Sequence, residues 1–75
     1  MFARFPGVRA RNLLAALQRA GFDVIRQKGS HITLHNALTD KTVLVPMHSG
    51  ELKRWLLMKI IKDAGFSEDE FRSFL

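Results

Sequence analysis

The chain has 75 residues, no cysteine, 47% hydrophobic and 25% charged residues, and a formal net charge of +5. One domain over residues 1–75 is the expectation, because a chain this short buries only about 60% of its unfolded surface and has no material for a second core. The same figures exclude a disulfide framework, a thiolate metal site and compositional disorder.

The charge is unevenly spread. Residues 1–62 carry eleven Lys and Arg against Asp23, Asp40 and Glu51, whereas residues 63–75 carry Asp63, Glu68, Asp69 and Glu70 against Arg72 alone. A basic body with an acidic tail is the electrostatic footprint of a nucleic-acid binder. No apolar run approaches the roughly 20 residues that span a bilayer. The stretch "MFARFPGVRA" lacks the apolar core of a secretion signal. A cytoplasmic protein with no membrane partner is the expectation.

In chain order, Pro6 and Gly7 precede a helix in "VRARNLLAALQRAGF", where Ala10, Leu13, Leu14, Leu17 and Ala20 recur at helical spacing. Gly21 supplies its left-handed end and Phe22 folds back on the last turn. "FDVIRQK" and "HITLH" read as strands joined by Gly29-Ser30, and "KTVLVP" as a third strand ended by Pro46. Residues 51–64 are expected to form a second helix capped by Ser49, with Leu52, Trp55 or Leu56, Met58 or Lys59, and Ile60 on its buried face. His48 is expected to support the loop before it. Gly65 ends that helix. Ser67 and Glu70 stand at capping-box spacing, which predicts a short third helix. The order α-β-β-β-α with a small appended helix predicts an α+β fold. In it, a three-stranded antiparallel sheet carries both main helices on one face and leaves the other face free.

A two-residue turn at Gly29-Ser30 fixes a hairpin register. Lys28 faces His31, Gln27 faces Ile32, Arg26 faces Thr33 and Ile25 faces Leu34. Ile25, Ile32 and Leu34 then point toward the helices, while Arg26, Lys28, His31, Thr33 and His35 share the free face. Val24 fits this register least well, which leaves room for a bulge or a longer turn. A cationic strand favours the neutral imidazole, the form able to take a proton from a 2′-hydroxyl. Cations beside it can hold the scissile phosphate. His31 and His35 share a strand face, but no cysteine or carboxylate cluster joins them, so neither a metal nor another cofactor is expected. The local pattern by itself also fits a non-catalytic RNA-binding module, or a basic face that receives an acidic protein.

Three stretches, "LLAALQRAGFDVIRQKGSH", "VLVPMHSGEL" and "IIKDAGFSEDEF", in that order, resemble the HicA toxin family of bacterial toxin–antitoxin pairs over nearly the whole chain. The resemblance implies a double-stranded-RNA-binding-like fold and an endoribonuclease that cleaves mRNA, with single-stranded RNA as substrate. It makes His31, the histidine of Gly-Ser-His, the catalytic residue. Gly29 and Ser30 become the turn that presents it, with Arg26, Lys28, Thr33 and His35 beside them on the RNA-binding face. It also implies a HicB-like antitoxin that masks the active surface and often carries the pair's DNA-binding domain, so this chain alone is not expected to bind DNA. One departure stands out: such chains commonly have Gly-Thr where this one has Trp55-Leu56. Trp55 is expected to pack in the core; exposed, it would be free to stack on a base or contact the antitoxin.

Overall fold

The computed structural model of the chain describes residues 7–47 and 50–75; Pro6, His48 and Ser49 lie outside them. Helix α1 (Ala10–Arg19) is followed by strands β1 (Asp23–Lys28), β2 (His31–Asn36) and β3 (Lys41–Pro46), then by helices α2 (Arg54–Asp63) and α3 (Glu68–Arg72). The strands form one antiparallel sheet in the order β1-β2-β3, the α+β arrangement of a double-stranded-RNA-binding-like fold.

Alternation decides which sheet face is covered. Ile32, Leu34, Val43 and Val45 are buried, and their neighbours in each strand turn the other way. Leu13, Ala16 and Leu17 of α1, Leu57, Ile60 and Ile61 of α2, and Phe71 of α3 complete the same core. Phe66, Phe71 and Phe74 form a tilted aromatic trio with centroids 5.4–6.2 Å apart, which anchors the acidic tail to this layer. Arg19 ties the tail to α1 by donating from Nε to the Phe74 carbonyl at 2.6 Å.

Both main helices end in Ala-Gly-Phe, and both ends are Schellman motifs. Gly21, at φ 103°, donates to Gln18, and Phe22 donates to Leu17; Gly65, at φ 90°, donates to Lys62, and Phe66 to Ile61. Each phenylalanine is thereby turned back onto its helix, and Phe22 is fully buried where β1 begins. The short α3 has the expected capping box. Ser67 Oγ accepts from the Glu70 amide at 3.1 Å, and Glu70 Oε1 accepts from the Ser67 amide at 2.9 Å.

The structure corrects three expectations. Helix α2 starts at Arg54, not at 51, because residues 51 and 52 are used elsewhere. Glu51 forms an antiparallel bridge with Arg9, and the Leu52 amide donates to the Val8 carbonyl at 2.9 Å. Leu52 is buried, but from this paired segment rather than from the helix. Trp55 is exposed rather than packed in the core: at 100° per residue it lies opposite Leu57, Ile60 and Ile61. Finally, β1 carries a bulge between Val24 and Arg26, so Val24, not Ile25, pairs with Leu34. Ile25 is the extra residue and is 61% exposed instead of pointing toward the helices.

Candidate functional site

The hairpin that the sequence marks with Gly-Ser is a two-residue turn closed by Lys28 and His31. Gly29 has φ 58° and Ser30 does not enter the left-handed region, the pattern of a type II′ turn, in which the first position requires a residue tolerant of positive φ. The turn is tied to the next strand. The Met47 amide, just past β3, donates to the Ser30 carbonyl. His31 therefore lies between Lys28 on β1 and Pro46 on β3, its backbone position set from both sides.

Register then assembles the face. Directly opposed side chains in an antiparallel pair have Cβ atoms about 4.5–5.5 Å apart, and diagonal neighbours are about 7–8 Å apart. Lys28 is directly opposite His31, and Arg26, opposite Thr33, is its diagonal neighbour. Arg26, Lys28, Gly29, Ser30, His31 and Thr33 line one open depression on the uncovered sheet face. All are exposed except Thr33, which is half-buried in the middle strand. Six of the seven residues singled out from the sequence are thus brought together.

His35 is not among them. It points from the same face four residues further along β2, about 13 Å from His31 at the usual rise per residue. Its Nε2 lies 2.8 Å from Asp40 Oδ1, and Asp23 stands opposite it across the sheet. Asp40 reaches it from the β2–β3 turn, where Asn36 Oδ1 accepts from the amides of Leu38 and Thr39 and Asp40 adopts φ 58°. The free face is consequently polarised, with Arg26 and Lys28 beside His31 at one end and Asp23 and Asp40 beside His35 at the other.

Leu44 completes the depression and was not singled out from the sequence. It pairs with Thr33 and is 52% exposed between buried Val43 and Val45. The alternation within "KTVLVP" was the available signal: an apolar residue in the polar phase of an edge strand. Chemically, the depression offers an imidazole, two cations, two hydroxyls and one apolar contact, open to a polymer rather than closed around a small ligand.

Such a fold and face define a small α+β domain with a cation-flanked histidine presented on an uncovered sheet. The chain belongs to the family of the HicA toxin of bacterial toxin–antitoxin systems, which matches residues 10–66. It is accordingly the toxin of such a pair, with an antitoxin as its partner. A comparison with curated proteins finds no match. Among the described residues no helix is long and apolar enough to cross a membrane.

Proposed function

We propose that this toxin is a metal-independent endoribonuclease that cleaves mRNA, with His31 as its catalytic residue. The observation that carries the reading is the convergence of His31 with Arg26, Lys28, Ser30 and Thr33 in one depression on the free face. His31 takes the proton of a ribose 2′-hydroxyl. The 2′-oxygen then attacks the adjacent phosphorus, and the bond to the 5′-oxygen breaks as that oxygen takes a proton from solvent. The products are a 2′,3′-cyclic phosphate and a 5′-hydroxyl end. Lys28 and Arg26 hold the phosphate and offset the charge that grows on it. Gly29 and Ser30 hold the turn, Thr33 offers a hydroxyl to the backbone, and His35 contacts RNA further along the strand. The antitoxin is of the HicB type and masks this face.

Incubating the pure protein with a long unstructured RNA in EDTA tests the reading. New 5′-hydroxyl ends are expected. RNA that is bound in a salt-sensitive way yet stays intact would make the protein a non-catalytic RNA-binding module instead.

A further inference from the structure

The sheet face leaves the opposite side of the molecule, the outer face of α2, without a role. There Trp55, the one tryptophan of the chain, is 65% exposed. Lys59 and Lys62 follow at i+4 and i+7 on the same outer pole, and half-buried Met58 at i+3 extends the apolar patch toward the core. Lys53, Arg54, Lys59 and Lys62 stand against two carboxylates: Asp63, 2.6 Å from Lys59, and Glu68, 3.4 Å from Arg54. The patch is therefore net positive.

Its composition runs against the helix that carries it. The first turn of α2 holds Arg54 and Trp55 and no acid, and Lys53 at the N-cap makes no side-chain cap. The helix dipole favours carboxylates there and disfavours cations. A choice that costs local stability, next to a large aromatic left in water, signals a contact made outside the folded chain. An apolar centre with a charged rim is the anatomy of a protein interface, and tryptophan is enriched among residues that dominate binding energy. A polyanion fits less well, because two of the four cations are already held by carboxylates within the patch.

We infer that the outer face of α2, centred on Trp55, is a docking surface for an acidic segment of a protein partner, seated on the side away from His31. In a toxin–antitoxin pair the antitoxin is that partner. A grip here holds the antitoxin through a surface separate from the histidine face that it masks, so retention and masking become separable.

The test uses the nitrogen-15-labelled chain co-expressed with its antitoxin. The single indole N–H signal of Trp55 shifts or broadens on complex formation. Trp55→Ala weakens binding by about tenfold or more, while Trp55→Phe loses less. Replacing Lys59→Glu and Lys62→Glu together weakens binding comparably and flattens its salt dependence. Wild-type affinity in Trp55→Ala, or an indole signal unmoved in the complex, overturns the inference. So does a signal that moves with a short oligouridylate and not with the antitoxin, because the face would then belong to nucleic acid.

Discussion

Replacing Gly29 with alanine isolates the backbone of the turn that carries His31. Gly29 sits at φ 58°, and a Cβ added there meets nothing within 4 Å. No neighbour has to move, so the whole cost is that of holding an L-residue at positive φ, about 1–2 kcal/mol. At roughly 0.05–0.15 kcal/mol per residue, a chain of this length is stable by on the order of 4–11 kcal/mol, so the variant stays folded. With about 4–8 °C lost per kcal/mol in a domain of this size, Tm falls by about 4–16 °C, measured by thermal unfolding followed by circular dichroism. D-alanine at the same position, introduced by chemical synthesis, adds the same volume without the torsional penalty and should restore wild-type Tm or exceed it. Ser30→Ala, outside the left-handed region, should stay within about 0.5 kcal/mol. A positive-φ cost at Gly29 is ruled out if Gly29→Ala melts with the wild type, or if D-alanine harms the fold as much as L-alanine.

Leu34 is fully buried in the central strand, so Leu34→Ala should cost about 2–5 kcal/mol in urea unfolding, a large share of the total. Ser67→Ala should cost about 1 kcal/mol by removing the cap of α3, seen as earlier melting of the C-terminal amides in hydrogen exchange. Glu70 is held below its ordinary value of 4.5 by hydrogen bonds from the Ser67 amide and hydroxyl. Its folded-state value is depressed, so its contribution is complete above the ordinary carboxylate range and is lost as pH falls through the lowered value. Glu70→Gln should keep the box and abolish this dependence in an acid titration of α3 amide shifts. For RNA, Lys28→Ala and Arg26→Ala should each weaken binding and reduce the slope of log affinity against log salt by about 1, checked by fluorescence anisotropy across a salt series.

Most of the fold was legible because its signals are local. The two Ala-Gly-Phe helix ends, the Gly-Ser turn and the Ser67–Glu70 box each specify a backbone geometry from a few adjacent residues, and each is present. The cationic cluster around His31 was legible for the same reason, since a two-residue turn fixes which residues oppose one another. What failed depends on distant partners. The bulge at Ile25 leaves no mark in composition, and the misfit of Val24 with the simple register is its one local sign. The start of α2 depends on a distant partner: Leu52 fits the helical pattern, but its amide pairs with the Val8 carbonyl. Residue type favours the core for Trp55, whereas the helical phase of Leu57, Ile60 and Ile61 places it outside. Leu44 carries no polar group, so only its phase in β3 marks it as a lining residue.

The proposed catalytic role of His31 is decided by one comparison. Wild-type protein and His31→Ala should be compared on the same long unstructured RNA, in EDTA, with circular dichroism confirming that both are folded. Cleavage is expected from the wild type and none above background from the variant, while the variant still binds the RNA. Undiminished cleavage by a folded His31→Ala protein would contradict it.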